Sequence, residues 1–231
     1  MKSPLLHASF WVLLSTGFPI TSISSRAEAH CPGNIAGLHP RLVAGALLIV
    51  PVKINQFGPF DFMVDTGSQL NVIDPALAVQ LHVKSQAKVG LVATTTAFQA
   101  SVVVLDSLET GPRSVAKALA AVQDLGPIQA ADPRIRGALG ENFLAHFDVL
   151  IDYRRRLVCL DEAKTMEGEL HGERVPLVSR GDPENQVPFA ERLVVSVNLS
   201  YTGDRAILLQ LDSGSDGPIL YSGIKGWKSR C

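Results

Sequence analysis

Phe60-Asp61-Phe62-Met63-Val64-Asp65-Thr66-Gly67-Ser68, continued by Leu70-Asn71-Val72-Ile73, decides how this chain is read. An apolar run delivers one carboxylate at its end, a hydroxyl and a glycine follow, and a second apolar run leaves. Such a pattern encodes a tight turn at the end of a buried strand. Gly67 lets backbone and other groups approach closely, and Thr66 can fix the turn through its hydroxyl. The flanking hydrophobic residues lower the local dielectric, which makes the pKa of Asp65 adjustable. A second copy of the pattern, Leu209-Gln210-Leu211-Asp212-Ser213-Gly214-Ser215, lies 147 positions further on.

Working outward from the two turns, the chain repeats itself. Leu193-Val194-Val195-Ser196-Val197-Asn198-Leu199 corresponds to the strand around Val50 to Ile54, and Thr202-Gly203-Asp204 stands where Asn55 to Pro59 makes the first turn. Ala206 to Leu211 then leads into Asp212 as Phe60 to Val64 leads into Asp65. Far fewer residues follow Asp212 than the first unit uses after Asp65. The second unit is therefore expected to be partial, without a flap hairpin or closing motif of its own.

The rest of the first unit reads as short strands. Leu47 to Val52 is a strand, followed by a turn over Asn55-Gln56-Phe57-Gly58-Pro59. Asp74-Pro75 starts a helix that ends near His82. Val89 to Val104 alternates as a projecting pair of strands. Ser114 to Val122 fits helix or strand equally by periodicity. Gly126-Pro127 and Asp132-Pro133 bound a loop, Glu141 to His146 is a short helix, and Phe147 to Asp152 and Leu157 to Leu160 are closing strands around an exposed Arg154-Arg155-Arg156 turn. Residues 161–186 are polar and rich in Gly, Glu and Pro, as in a linker.

Composition excludes several function classes. With 21 basic against 22 acidic residues, the formal charge of −1 offers no footprint for nucleic acid. The six histidines show no His-Glu-x-x-His spacing, and Cys31, Cys159 and Cys231 are too widely separated for a metal cluster, so neither metal nor cofactor is expected. Three cysteines allow one disulfide and one free thiol, without indicating which pair. No Gly-x-Ser-x-Gly elbow supports a serine hydrolase. At the amino terminus, Lys2, the apolar stretch from Pro4 to Ile20 and the Ala27-Glu28-Ala29 cleavage pattern predict a signal peptide over residues 1–29 and an exported protein, periplasmic or secreted. If uncleaved, residues 4–25 would serve as a membrane anchor.

Taken together, residues 43–160 resemble a retropepsin-like (retroviral-type) aspartyl protease lobe of the kind found in exported bacterial proteins. The resemblance is carried by Asp65-Thr66-Gly67-Ser68, the following helix with Ala78 and Leu81, Gly137-Ala138-Leu139-Gly140, and the downstream Phe143-Leu144 and Val149-Leu150-Ile151-Asp152-Tyr153. It implies a mainly β fold: an acid-protease β-barrel lobe with short helices, then a linker over 161–186 and a partial second lobe over 187–231. It also implies that Ala138, Leu139 and Gly140 pack under the catalytic turn. The implied activity is that of an aspartic endopeptidase acting on peptide or protein substrates, in which two carboxylates share one proton and activate a water. Asp65 would be one catalytic residue. Thr66 would lock two turns together, Gly67 would leave room for substrate, and Ser68 would hydrogen-bond the outer carboxylate oxygen.

The second carboxylate has two sources on this reading. Asp212 supplies it within the chain, supported by Ser213 and Gly214, or Asp65 of another copy supplies it in a symmetric homodimer. The flap region Leu91 to Phe98 departs from the family in lacking glycine. A competing reading is an exported, non-catalytic peptide-binding or interaction module on a decayed protease fold.

Overall fold

The computed structural model describes residues 30–92, 97–178, 192–198 and 206–219. The expected export segment, the Thr202-Gly203-Asp204 turn and the tip of the projecting hairpin lie outside these residues. Three short pieces open the fold: β1 (Gly37–Leu38), β2 (Arg41–Val43) and β3 (Leu47–Ile54). Next comes β4 (Phe57–Val64), which begins earlier than its sequence turn signal suggests, because Asn55 and Gln56 alone make the reversal with positive φ of 49° and 68°. Phe62, Met63 and Val64 are all buried, as expected of a strand covered on both faces.

Beyond the Asp65 turn run β5 (Asn71–Ile73) and α1 (Pro75–Gln80). Asp74 caps this helix as expected, accepting a hydrogen bond from the Leu77 backbone N–H at 2.7 Å. Then come the long hairpin strands β6 (Ser85–Val92) and β7 (Ala97–Thr110), followed by β8 (Arg113–Val122), α2 (Gly126–Ala131) and β9 (Ile135–Leu139). The segment expected as a loop between Gly126 and Pro133 is thus a helix. Gly126-Pro127 forms its entrance, Asp132-Pro133 stops it, and Leu125 and Ile128 anchor it against Val43 and Ile135. Last are α3 (Glu141–Leu144), β10 (Asp148–Asp152), β11 (Leu157–Asp161), β12 (Val194–Asn198) and β13 (Ala206–Gln210).

The main sheet runs β2-β3-β4-β9-β5-β8-β7-β6 and curls on itself through a second pairing of β3 with β7. This is a mainly β fold with a barrel-like sheet and short helices. Its core is built from Leu48, Val50, Val52, Ile54, Phe62, Ile73, Leu105, Leu108, Leu139 and Phe143, among others. Between β4 and β5 the sheet does something specific for the turn: β9 inserts, parallel to β4 (Val64↔Leu139) and antiparallel to β5 (Val72↔Ala138). The strand entering the Asp65 turn and the strand leaving it are therefore braced by one intervening strand.

A separate sheet, β1-β11-β10, closes the unit. Cys31 and Cys159 form a disulfide across it, spanning a sequence separation of 128. Closing so long a loop is worth roughly 5 kcal/mol in the chain-entropy account. Among the described residues, β12 and β13 pair with each other as an antiparallel two-stranded sheet, and Leu177 bridges to Val195 from the segment before them.

Candidate active site

Asp65 sits where β4 meets the end of β9, its backbone N–H donating to the Leu139 carbonyl at 2.9 Å. The turn then folds back on its own side chain: the Gly67 and Ser68 backbone N–H groups donate to Asp65 Oδ1 at 2.9 and 3.1 Å. Beneath it lie Ala138 and Leu139 at the end of β9, followed by Gly140. Gly140 is in such close contact that an added Cβ would lie 2.2 Å from the Leu70 carbonyl oxygen. Two side-chain amides, the buried Asn71 and the half-buried Asn142, finish the seat, since Asn71 Oδ1 accepts from the Gly140 N–H (3.0 Å) and Asn142 Oδ1 accepts from the Asn71 N–H (2.6 Å). Both side-chain amides donate to the Leu119 carbonyl.

The second turn is brought directly against the first. Thr66 Oγ1 donates to the Leu211 carbonyl (3.0 Å) and accepts from the Ser213 N–H (3.0 Å). In return, Ser213 Oγ donates to the Val64 carbonyl (2.9 Å) and accepts from the Thr66 N–H (3.1 Å). Each hydroxyl is thus satisfied twice by the other turn's backbone, and both residues are buried. Gln210 adds a bond from its side-chain amide to the Gly67 carbonyl at 2.8 Å. Asp212 is held like Asp65, with the Gly214 N–H donating to its Oδ1 at 2.8 Å.

The two glycines face the two carboxylates reciprocally. A Cβ on Gly67 would fall 2.3 Å from Asp212 Cγ, and one on Gly214 would fall 2.4 Å from Asp65 Oδ1. No side chain larger than hydrogen fits either position while the turns stay engaged. Asp65 and Asp212 interact closely enough to hydrogen-bond, and the Asp65 pKa is pushed up to about 6. Burial is the main cause and the Asp212 charge the second, partly offset by the Gly67 and Ser68 N–H groups.

All the residues singled out around the two turns thus come together: Asp65, Thr66, Gly67 and Ser68 with Asp212, Ser213 and Gly214, over Ala138, Leu139 and Gly140. The contact made by Ser68 differs from expectation. Its hydroxyl donates to the Leu70 carbonyl at 2.7 Å, and its backbone N–H serves the Asp65 carboxylate instead. The hydroxyl is drawn away because the turn exposes the Leu70 carbonyl within its reach.

Two residues near the site were given no role in it from the sequence. Glu141 directly follows Gly140, donates its backbone N–H to the Ser68 carbonyl at 2.8 Å, and is only 5% exposed. Burial and the nearby Asp65 push its pKa up to about 7. An acidic residue at the first position of a helix ordinarily reads as a solvated complement to the helix dipole, so only its adjacency to Ala138-Leu139-Gly140 could have drawn notice. Tyr153, in the turn between β10 and β11, also has a raised pKa, through partial burial and then the Asp212 charge.

Residues 50–143 match the family model described as aspartyl protease. No curated protein matches the chain. Among solved structures it is similar to a retropepsin-like aspartic protease from Rickettsia conorii, at 19% identity over 53% of this chain and 86% of that one, with a TM-score of 0.39. The family match spans the Asp65 turn and the β9 strand that braces it, so this part of the chain is similar to aspartyl proteases.

Proposed function

We propose that this protein is an aspartic endopeptidase whose catalytic pair, Asp65 and Asp212, comes from a single chain. The observation that carries the reading is the reciprocal interlock of Thr66 and Ser213, with the glycine of each turn lying against the carboxylate of the other. Like charges at such range cannot both ionise freely, so the pair holds one proton between its members. The raised pKa of Asp65, caused by burial and then by the Asp212 charge, supports a proton held within the pair. The pair titrates as a unit. In the singly protonated state the ionised carboxylate takes a proton from a water that attacks the scissile carbonyl, and the protonated one donates to the carbonyl oxygen. The substrate on this reading is a peptide or protein.

Residues 43–160 act as the first lobe in this scheme, 161–186 as the connection and 187–231 as a partial second lobe that brings Asp212. Export through residues 1–29 belongs to the same proposal. The Cys31–Cys159 disulfide supports it, since such bonds persist in oxidising compartments.

The test is cleavage of a peptide library by the protein from about pH 3 to about pH 8, beside Asp65→Asn and Asp212→Asn. Each substitution is expected to lower kcat/KM by roughly 10³-fold or more. Cleavage abolished by Asp65→Asn but untouched by Asp212→Asn would replace the intramolecular pair with a symmetric dimer. Peptide binding without cleavage at any pH would replace the enzyme with a binding module.

A further inference from the structure

The carboxyl of Glu141 has no use in the scheme above, yet it lies where a charged group is costly. Its side chain is buried, and its buried Oε1 finds no hydrogen-bond partner among the described residues. The backbone around it is the seat of the Asp65 turn: the Glu141 N–H donates to Ser68 O (2.8 Å), the Asn142 N–H to Gln69 O (3.2 Å), and the Gly140 N–H to Asn71 Oδ1 (3.0 Å). Three consecutive residues thus carry the turn from below. An ionised carboxylate in this place would leave a buried oxygen without a hydrogen-bond donor, which is costly.

Among the described residues, the elements packed on α3, which are β5, β8, β9 and the 65–70 turn, bring no cation to Glu141, and Arg192, which reaches that turn, is directed to Gln69 Oε1 at 3.4 Å. β5 has no titratable residue. On β8, Arg113 is turned to the Leu160 carbonyl and Glu162, and Lys117 to Asp106. On β9, Arg136 is paired with Asp74. His146, just beyond α3, directs Nδ1 to the Phe143 carbonyl. The charged group that acts on Glu141 is Asp65, and its sign is the same.

We propose that Glu141 is a positioning residue that works as a neutral acid: protonated, it lets α3 seat the Asp65 turn, and ionised, it loosens that seat, giving the assembled site an alkaline ceiling. The inference rests on Asp65 belonging to the site, and it deepens the proposed function by adding a third carboxyl that governs when the pair is assembled. The raised pKa agrees with this. A group that ionises at about 7 in the seated state, but near 4.5 when the seat opens to water, favours the seated state fully below about 4.5. That contribution is lost progressively as pH rises to about 7 and is constant above it.

Hydrogen exchange of the backbone amides of residues 65–71 and 139–144, compared between the protein and Glu141→Gln, tests the proposal without requiring cleavage. The ratio of protection factors, variant over parent, is expected to rise roughly tenfold per pH step between about pH 5 and about pH 7, because opening of the parent alone is linked to ionisation at this position. Titration of Asp65 is common to both proteins and largely cancels in the ratio. A ratio that does not change with pH overturns the proposal, whatever its absolute value, since a merely structural role would shift protection equally at every pH. If Glu141→Gln fails to fold, Glu141→Met is the second variant, and carboxyl-carbon NMR of the unsubstituted protein decides directly: titration of Glu141 near its ordinary value overturns the inference. Absence of peptidase activity would overturn the proposed function and leave this ratio standing.

Discussion

Replacing Gly214 by alanine is the sharpest perturbation of the paired turns. Its Cβ would stand 2.4 Å from Asp65 Oδ1 and 2.5 Å from Asp65 Cγ, whereas ordinary contacts are 3.4–4 Å, so the turns must separate by about 1 Å. Asp65 cannot yield cheaply, because its Oδ1 is held by the Gly67 and Ser68 N–H groups. The displacement therefore falls on the second turn. The four bonds that join its Leu211 and Ser213 to Val64 and Thr66, now 2.9–3.1 Å, would stretch beyond hydrogen-bonding range. At about 1 kcal/mol net per bond, and with incomplete additivity, the docking loses roughly 2–4 kcal/mol. A misplacement of about 1 Å costs on the order of 10² in kcat/KM. The assay is peptide cleavage by Gly214→Ala, with Gly217→Ala as control, since nothing lies within 4 Å of a Cβ at Gly217. Carboxyl NMR should also show Asp65 titrating lower, as the Asp212 charge moves away. Parent-like cleavage by Gly214→Ala, with Asp65 still titrating near 6, would refute the reasoning. In a symmetric pairing of two copies of Asp65 the substitution would be silent.

Thr66→Val should leave the Ser213 N–H and the Leu211 carbonyl without their partner, costing about 1–3 kcal/mol of docking. Hydrogen exchange over residues 206–215 reads the loss, and Thr66→Ser, which keeps the hydroxyl, should restore protection. Equal protection in the valine and serine variants would show that the hydroxyl does not join the turns. Reducing and alkylating Cys31 and Cys159 should lower the unfolding free energy by up to roughly 5 kcal/mol, measured by denaturant titration. An unchanged midpoint would mean that the closing sheet holds without its covalent tie.

Both turns were legible in the sequence because each is defined locally: an apolar strand, a carboxylate, a hydroxyl and a glycine in consecutive positions. Their bracing by Ala138-Leu139-Gly140 was legible only through the resemblance, since no local rule says that a strand inserts between β4 and β5. β8 was ambiguous for a physical reason. Lys117 has a φ of 53°, which breaks the strand alternation, so that burial runs Val115, Ala118 and then Ala120 and Ala121. A three-residue step of this kind imitates a helical face. The loop expected at 126–133 failed because Gly-Pro and Asp-Pro serve equally as the ends of a short helix, and only burial of Leu125 and Ile128 decides between the two. Disulfide pairing depends on β1 lying beside β11 (Gly37↔Cys159), a contact between distant segments that the sequence does not announce.

The two turns are alike in sequence but unequal in support, and this fixes the direction in which order is transmitted. Asp65 is backed by β9, by the Asn71 and Asn142 amides and by α3, all of which belong to the barrel-like sheet or pack on it. Asp212 is solvent-exposed and follows a two-stranded sheet whose members pair with each other, apart from the bridge at Leu177. The residues that bury anything at the second turn do so against the first: Ser213 is buried because Val64 and Thr66 cover it. The first turn is therefore a template and the second its guest. Damage to the guest should leave the template's exchange protection intact, whereas damage to the template should release both. A pair built in this way is no more precise than the seat under Asp65, which is why a single unpartnered carboxyl in that seat can govern the whole site.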